Sequence, residues 1–325
     1  MLPDYIGGGT AKEIYTQDEV IDVACPCCGS TEGPTIAVEN GSIGIKRCAK
    51  CELIYTSPQI HEPAAVYWGD HDTYLAEARL IYAGTAPHHR DPNYIEELKL
   101  LERHVPARGR LLDVGCNMGR MLSLARPRGW ETVGVEPSPA LSRLAREQFG
   151  LTVYNCFLNE VPDEEKGTFD ALTTSDVFEH VPDPREFLRD AKQFLKPDGV
   201  LYIKVPNARW KIFKQRAAGL LGREVARGAW DAFEDLAHYT DATLATMLES
   251  EGFRSLEMTL SRPVQIPVWH EYVGHYYQYP SPWLLDPKRY LGRAAFHAAA
   301  RTERRLRSGS IGYLAPNLVA IARPA

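Results

Sequence analysis

The stretch Arg110-Leu111-Leu112-Asp113-Val114-Gly115-Cys116-Asn117-Met118-Gly119-Arg120 constrains the fold more than any other part of the chain. It begins with an apolar run of strand length, passes through a turn with two glycines, and ends where a helix can start. A turn between a strand and a helix is typical of open α/β sheets, in which ligands bind beyond the carboxyl ends of the strands. We therefore expect a ligand site at residues 115–119.

Strand-like and helix-like runs alternate from this turn onward. The expected strands are 110–114, 131–135, 152–154, 169–175, 200–205, 253–260 and 318–322, and the expected helices are 120–128, 139–149, 184–194 and 240–250. Such alternation predicts a parallel sheet built by right-handed crossovers. We expect a Rossmann-like α/β fold over residues 110–325, with seven strands in a doubly wound sheet. An aromatic and α-helical insertion at 261–317, with an arginine-rich helix near 288–307, precedes the last strand.

Five of the seven cysteines lie close together near the N-terminus. Cys25 and Cys28 form one C-x2-C pair, and Cys48 and Cys51 form a second pair after nineteen residues. This spacing is typical of zinc ribbons, and Asn40-Gly41 between two apolar runs predicts the hairpin that a ribbon contains. Four thiolates leave no open position on the metal, which favours a structural Zn2+ over free thiols. Cys27 is a spare thiol that could replace Cys28.

The remaining N-terminal segments are expected to be less regular. Residues 1–24 are polar and glycine-rich and predict a loosely attached arm, so that residues 1–58 form the arm and the ribbon. Residues 59–109 predict a helical connector, with a helical stripe of apolar residues over 92–104. Its many aromatic side chains are expected in the core; alternatively, Tyr74 or its neighbours cap the ligand pocket as a lid.

The composition limits the classes of function. The chain has 37 basic and 42 acidic residues, a net charge of −5, which argues against broad electrostatic binding of nucleic acid. No apolar run approaches the ~20 residues that span a bilayer, and the first residues lack the basic and apolar regions of a signal peptide. Because clustered, odd-numbered cysteines suit a reducing compartment, we expect a cytoplasmic protein.

The residues around the central turn distinguish two kinds of cofactor. Gly115 and Gly119 permit close approach of a ligand, and the amides that open the next helix are expected to offer donors to an anion. Glu136 ends the second expected strand, where a carboxylate can accept both hydroxyls of a ribose. Asn117 replaces the second glycine of a dinucleotide fingerprint, and Asp113 would repel a pyrophosphate. The same carboxylate suits a ligand with an ammonium group, such as S-adenosylmethionine.

Five segments, in order over residues 110–255, resemble the motifs of class I S-adenosylmethionine-dependent methyltransferases. They are Leu111–Gly119, Val133-Gly134-Val135-Glu136-Pro137-Ser138, Phe169-Asp170-Ala171-Leu172 with Asp176-Val177-Phe178-Glu179-His180-Val181-Pro182-Asp183-Pro184, Leu195-Lys196-Pro197-Asp198-Gly199-Val200-Leu201, and His238-Tyr239-Thr240 with its following helix. A cysteine ribbon joined to such a domain is similar to a bacterial subgroup of small-molecule, sugar and glycan pathways, which includes deoxysugar C-methyltransferases with an N-terminal zinc site.

The resemblance implies a set of cofactor-binding residues. They are Asp113, Gly115, Cys116, Asn117, Gly119, Glu136, Pro137, Ser138, Asn155, Phe157, Ser175 and Asp176. Asn155 stands where the family usually has an acidic residue near the adenine, and Phe157 is expected to pack on the adenine ring. Cys156 is expected in the core or the pocket wall rather than as a nucleophile.

Methyl transfer also requires an oriented acceptor and, in some cases, a base. His180 follows the fourth expected strand at the carboxyl edge, and we name His180, His238 and Glu179 as catalytic candidates. Glu179 and Glu234 are weaker candidates than the two histidines, and each of these residues could instead have a structural role. The deoxysugar C-methyltransferases have a Glu-His pair at the segment aligned with Glu234-Asp235. Because Asp235 replaces that histidine, we expect O-methylation rather than C-methylation.

The expected acceptor is a small molecule or a sugar or glycan precursor, with no nucleic-acid partner. Aromatic side chains of the insertion could stack on it, and the arginines could meet a phosphate, a carboxylate or a membrane surface, or simply form a solvated helix face. Three alternatives stay open: a C- or N-methyltransferase on a nucleotide-linked sugar, a zinc-ribbon protein that binds or modifies RNA, and a scaffold without catalysis.

Overall fold

A seven-stranded sheet and a four-stranded sheet carry the fold of the computed structural model, which describes residues 14–60, 90–220, 230–261 and 311–325 and parts of 272–307. The strands are β1 (Val20–Ile21), β2 (Thr35–Glu39), β3 (Ile43–Arg47), β4 (Ile54–Thr56), β5 (Gln59–Ile60), β6 (Gly109–Val114), β7 (Trp130–Val135), β8 (Thr152–Tyr154), β9 (Phe169–Ser175), β10 (Leu195–Pro206), β11 (Ala237–His238), β12 (Phe253–Leu260), β13 (Tyr272–Gly274), β14 (Tyr277–Tyr279) and β15 (Asn317–Pro324). The helices are α1 (Asp91–His104), α2 (Arg120–Ala125), α3 (Pro139–Phe149), α4 (Pro184–Phe194), α5 (Ala208–Leu220) and α6 (Asp241–Ser250).

The larger sheet confirms the expected doubly wound, Rossmann-like fold. Its strand order is β12-β15-β10-β9-β6-β7-β8, and β10, β9, β6, β7 and β8 are parallel. The last strand, β15, departs from the expected parallel arrangement because it runs antiparallel between β10 and β12. The chain moves from β6 to one side for β7 and β8, and to the other side for β9 and β10. The turn after β6 therefore lies at the switch point of the sheet.

Local signals explain most of the element boundaries. Ser138 caps α3 by accepting a hydrogen bond from the Leu141 amide, and Gly150 ends it with a φ of +58°. Two boundaries differ from the sequence prediction by three residues or more, and the others agree to within two residues. Helix α2 ends at Ala125, after which residues 126–128 form a 3-10 turn around Pro127. Strand β10 begins directly after α4, rather than at residue 200, with an irregular register between Leu195 and Val200.

Helix α1 packs on the larger sheet, although the sequence placed it in a connector. Its Leu98 and Leu101 are fully buried in one cluster with Leu111 of β6 and Tyr202 of β10. Burial of each leucine contributes about 2 kcal/mol, which ties the helix firmly to the sheet. We therefore propose that the α/β unit begins near residue 90 rather than at residue 110.

The smaller sheet combines the cysteine ribbon with a strand from the α/β unit. Its order is β11-β4-β3-β2, and the hairpin of β2 and β3 turns at Asn40 and Gly41 as expected. Tyr55 of β4 belongs to the same buried cluster as Phe178 and Tyr239 of the α/β unit. The ribbon thus shares a core with the larger sheet.

Part of the expected arm packs against the rest of the protein. Strand β1 pairs antiparallel with β5, and the buried Tyr15 stacks on Phe233 at 5.8 Å between ring centroids. Tyr74 and most of the aromatic side chains of the insertion lie outside the described residues, as does most of the arginine-rich helix at 288–307. Strands β13 and β14 form a hairpin within the insertion. Among the described residues, no helix has the length and apolar character to cross a membrane.

Candidate active site

Two buried carboxyl groups lie side by side at the carboxyl edge of the larger sheet. Asp113 is near the end of β6 and pairs in register with Gly134 of β7, and Glu136 directly follows β7. Their residues are 4% and 5% exposed, and burial raises the pKa of each carboxyl to about 7. Among the described residues, no basic side chain pairs with either group. Such carboxyls are suited to a bound cation and to ribose hydroxyls, so the residues fit S-adenosylmethionine.

The backbone amides of residues 115–119 are satisfied within the chain. That the amides opening α2 face an anion stays a prediction. The amides of Gly115 and Cys116 donate to the Val135 carbonyl at 2.8 and 3.1 Å. The Asn117 amide donates to Glu136 Oε2 at 2.8 Å, and the Gly119 amide donates to the Cys116 carbonyl at 2.9 Å. The Met118 amide donates to the Asn117 side chain. A turn with its donors in use disfavours a pyrophosphate.

The glycines of the turn are required by both conformation and packing. Gly115 and Gly119 have φ values of +72° and +78°, a region that residues with a Cβ rarely adopt. A Cβ at Gly115 would lie 2.4 Å from Val177 Cγ2, and one at Gly119 would lie 2.4 Å from Leu151 Cδ1. The chain's own side chains fill the space beside each glycine.

Residues expected near the adenine surround the turn after β7. Asn155 Nδ2 donates to the carbonyls of Glu136 and Pro137 at 2.9 and 2.8 Å, so its amide donors stabilise this turn. Ser138 is 3% exposed and caps α3. The Phe157 ring is 44% exposed beyond β8. The adenine contacts of these residues stay predictions, and so does the pocket-wall position of Cys156.

A buried ion network at the end of β9 was missed by the sequence prediction. Lys204 is 2% exposed. Its Nζ lies 3.0 Å from Glu97 Oε1 and 3.1 Å from Asp176 Oδ2. Arg90 contacts Asp176 at 2.9 Å, and Ser175 Oγ donates to Glu97 Oε2 at 3.2 Å. Protein cations therefore already balance Asp176, unlike Asp113 and Glu136. The sequence did contain a signal for this network, because a lysine lies inside the apolar run 200–205. A lysine buried in a strand requires an acidic partner.

A second cluster, formed by Glu179, His180 and Asp235, follows the same strand. His180 Nδ1 lies 2.9 Å from the Glu234 carbonyl and 3.4 Å from Asp235 Oδ1, and His180 Nε2 lies 4.0 Å from Glu179 Oε1. A carbonyl oxygen accepts hydrogen bonds, so Nδ1 carries the proton in the neutral ring. Nε2 then holds the lone pair that a general base uses.

Electrostatics within this cluster favour protonation. Burial alone lowers the pKa of His180, but the carboxylates of Glu179 and Asp235 outweigh it and raise the pKa above its ordinary value. Burial raises the pKa of Glu179 to about 8, against the opposing effect of His180. Lys211 Nζ lies 2.6 Å from Asp235 Oδ2, so Asp235 already has a positive partner.

The cluster resembles a metal site in spacing, because the donor atoms of Glu179, His180 and Asp235 lie within 4.8 Å of one another. The ammonium of Lys211 beside Asp235 supplies the compensating charge and would repel a divalent cation. We therefore interpret the cluster as an acid–base centre.

The structure distinguishes the two histidines. His238 is 2% exposed and packs edge-on against Trp230 at 5.1 Å between ring centroids. Its ring nitrogens are buried without a hydrogen-bond partner among the described residues. Burial, with the nearby charges of Lys211 and His180, holds its pKa well below the ordinary value. This environment favours His180 over His238 as the base.

Comparison with known proteins agrees with this geometry. A family model described as a methyltransferase domain matches residues 87–257, just over half of the chain. The chain belongs to this methyltransferase family. Together with the fold, the match confirms the resemblance to class I S-adenosylmethionine-dependent methyltransferases. The ribbon and the last strand lie outside the matched residues.

Three relatives of this methyltransferase share one name. The ubiquinone biosynthesis O-methyltransferase of Coxiella burnetii (strain Dugway 5J108-111) is 28% identical over 169 residues, which cover 50% of this chain and 71% of the relative. The protein of that name from Xanthomonas axonopodis pv. citri (strain 306) is 30% identical over 160 residues, covering 46% and 64%. The mitochondrial protein of Homo sapiens is 29% identical over 173 residues, covering 48% and 45%.

Solved structures match the methyltransferase more distantly. A complex of the Haloferax volcanii Trm112 methyltransferase activator with the putative methyltransferase gives a TM-score of 0.49 at 16% identity, covering 78% of this chain and 96% of that one. The Burkholderia thailandensis 1,6-didemethyltoxoflavin-N1-methyltransferase gives 0.45 at 16% identity, covering 90% and 99%. Likeness at this level carries no argument about the acceptor.

The methyltransferase has a second candidate site in its ribbon. The thiols of Cys25, Cys28, Cys48 and Cys51 lie within 4.8 Å of one another, with Cys25 3.5 Å from Cys51 and Cys28 3.5 Å from Cys48. Sulfur atoms around a tetrahedral zinc ion lie about 3.8 Å apart, so the four residues fit this metal. Cys27 is buried beside them but lies outside the converging set.

Proposed function

We propose that this methyltransferase transfers a methyl group to a hydroxyl of a small molecule, with His180 as the base. One observation carries the proposal: His180 follows β9 at the carboxyl edge of the sheet, and its Nδ1 lies 2.9 Å from the Glu234 carbonyl, which places the proton of the neutral ring on Nδ1 and the lone pair on Nε2. A hydroxyl must lose its proton as its oxygen is methylated, and the neutral form of an imidazole can accept it.

Each step assigned to the chain follows from this arrangement. When bound, S-adenosylmethionine supplies an activated methyl group on a sulfonium, and orientation is the main task left to the protein. Asp113 and Glu136 bind the cationic and ribose parts. His180 takes the acceptor proton on Nε2, and the imidazolium that results is stabilised by Asp235 and, in its ionised form, by Glu179. Lys211 keeps Asp235 in place.

The relatives support the reaction class. Proteins that are 28–30% identical over about half of this chain carry the name O-methyltransferase. In addition, Asp235 stands where the deoxysugar C-methyltransferases have the histidine of their Glu-His pair. The acceptor of those relatives is not assigned to this protein. We propose for this chain a hydroxylated aromatic or sugar acceptor, in the cytoplasm.

Formation of S-adenosylhomocysteine tests the proposal directly. The purified protein is first titrated with S-adenosylmethionine by calorimetry and then assayed with catechols, hydroxybenzoates and nucleotide-linked sugars. Mass spectrometry locates the added methyl group. We expect an O-methylated product. A C- or N-methylated nucleotide sugar would select the alternative mechanism, and binding of the cofactor without any turnover on these acceptors would contradict the proposed acceptor class.

We also propose that the four converging cysteines hold one structural Zn2+. Their donor set is complete without solvent, which leaves no position for a substrate on the metal. The ion would then stabilise the ribbon hairpin and the strand that follows it.

A further inference from the structure

The ribbon and the proposed base are joined by a continuous series of hydrogen bonds. Within the ribbon, the Cys48 amide donates to the Leu53 carbonyl at 2.9 Å, which closes the second cysteine pair directly before β4. Strand β4 then pairs with β11, so that Tyr55 opposes Ala237. The cysteine ligands are thus one short strand away from the segment that carries Asp235 and His238.

Thr56, at the end of β4, makes the decisive contacts. It is fully buried, and its Oγ1 donates to the Asp235 carbonyl at 2.6 Å. Its amide donates to the Leu236 carbonyl at 3.0 Å. The Leu236 amide in turn donates to the Glu179 carbonyl at 2.8 Å, and this residue precedes the proposed base. Two backbone positions and one side chain therefore fix residues 235–236 between the ribbon and the turn at 178–180.

We propose that the cysteine ribbon is a metal-dependent positioning element for His180, and that Thr56 is the residue through which it acts. Thr56 touches neither acceptor nor cofactor in this proposal; it is a positioning residue. It holds Asp235, and Asp235 with the Glu234 carbonyl sets the orientation of the His180 ring. The proposal rests on the function proposed above for His180, but its structural part can be measured without turnover.

The charges around His180 determine what loss of this contact would change. The groups that face the ring are Glu179 on its own turn, Asp176 at the end of β9, Glu234, Asp235 and His238 on the neighbouring segment, and Lys211 of α5 behind Asp235. Of these groups, Asp235 is the one whose backbone carbonyl accepts the hydrogen bond from Thr56. A displaced Asp235 raises the pKa of His180 less, so His180 is expected to titrate at lower pH.

The Thr56→Val variant removes the hydroxyl and keeps the shape of the side chain. Thr56→Ser keeps the hydroxyl and serves as the rescue. Thr174→Val is the matched control, because Thr174 is equally buried and its hydroxyl has no hydrogen-bond partner among the described residues. The readouts are the NMR titration of the His180 ring, the kcat and KM of methyl transfer, and the affinity for S-adenosylhomocysteine by calorimetry.

We expect Thr56→Val to lower the His180 titration midpoint by about half a pH unit or more and kcat by about tenfold. The affinity for S-adenosylhomocysteine should stay within about twofold, and Thr56→Ser and Thr174→Val should resemble the wild type. An unchanged His180 midpoint in Thr56→Val, or an equal change in Thr174→Val, would overturn the proposal.

Metal removal provides the second measurement, and it also decides the matter if Thr56→Val does not fold. The wild-type protein is stripped with a chelator, its metal content is measured, and the His180 titration is repeated before and after one equivalent of Zn2+. We expect the midpoint to fall on stripping and to return on reloading. A midpoint independent of metal would contradict the proposal. Failure to methylate any acceptor would count against the proposed function alone, because the His180 titration needs no acceptor.

Discussion

At the scale of single residues, His180 is the group whose removal should separate chemistry from binding. We expect His180→Asn to lower kcat by about 10²–10⁴-fold, the usual contribution of a general base, because the acceptor then loses its proton to water. The affinity for S-adenosylhomocysteine should change by less than about twofold, since Asp113 and Glu136 are untouched. Steady-state kinetics and calorimetry measure these two quantities.

His104 offers a matched histidine outside the site. His104 Nε2 lies 3.0 Å from Glu257 Oε2 of β12. His104 is not one of the residues that we place in the active site. His104→Asn should leave kcat within about twofold of the wild type. Equal losses in the two variants, or a large loss of cofactor affinity in His180→Asn, would contradict the role of His180.

The turn glycines give a second residue-scale prediction, in which strain and overpacking can be separated. Gly150 has a φ of +58° with nothing near its added Cβ, whereas a Cβ at Gly119 would lie 2.4 Å from Leu151 Cδ1 and 3.0 Å from Ala145 Cβ. We expect Gly150→Ala to cost about 1 kcal/mol of unfolding free energy and Gly119→Ala about 1–3 kcal/mol more. Denaturant unfolding measures these losses. Similar losses would show that the turn relaxes around Leu151.

At the scale of elements, the ribbon should depend on four cysteines and not on the fifth. We expect Cys48→Ser to lose the bound metal and to lower the melting temperature by several degrees, since metal binding contributes folding free energy. Cys27→Ser is the control, because Cys27 is buried in the same cluster but does not converge with the other thiols. Metal analysis and thermal unfolding measure the difference. Retention of one zinc ion by Cys48→Ser would contradict the assignment of these four ligands.

The elements themselves were largely predictable because their signals are local. The boundaries of α3 and α4 follow from a capping residue and a proline at the first turn, and the ribbon hairpin follows from Asn40-Gly41. The direction of β15 was not predictable in this way. The direction of β15 depends on its pairing with β10 and β12. The residues of an apolar strand do not indicate in which direction the strand will pair.

The same limit applies to the candidate site. Asp113 and Glu136 could be placed from the sequence because each ends a strand beside the switch point. Asp235 and Lys211 could not be paired, because their contact of 2.6 Å joins α5 to a segment 24 residues later. The partner of the amides at residues 115 and 116 could not be read from the sequence, because their acceptor, the Val135 carbonyl, belongs to the adjacent strand.

At the scale of the whole molecule, the shared core of ribbon and α/β unit changes how the chain should be divided. The sequence suggests separate units at residues 1–58 and 110–325, since the cysteine pattern is complete in itself. The structure joins them through β4 and β11 and through the cluster that contains Tyr55 and Tyr239. The ribbon therefore packs against the segment that carries Asp235 and against the turn at 178–180, rather than standing apart from the α/β unit.

The stability of the whole chain and its affinity for the cofactor should depend on pH in opposite directions. Burial raises the pKa of Asp113 and Glu136 to about 7, from ordinary values of 3.8 and 4.5. A carboxyl whose pKa is raised by folding stabilises the fold below its unfolded pKa, and this contribution is lost as the pH rises through about 7. Each group therefore gives the cofactor-free protein a slope of up to about 1.4 kcal/mol per pH unit between about pH 4 and 7.

A cationic cofactor binds the ionised carboxyls, so binding near pH 6.5 should release protons and strengthen as the pH rises. Calorimetry in two buffers with different ionisation enthalpies measures the proton release, and thermal unfolding from pH 5 to 8 measures the stability. Asp113→Asn should flatten the stability profile, reduce the proton release and weaken cofactor binding by about tenfold or more. Glu131→Gln, an exposed substitution in β7, should change none of the three. Undiminished proton release in Asp113→Asn would show that Asp113 stays neutral in the complex, and the ammonium of the cofactor would then require another partner.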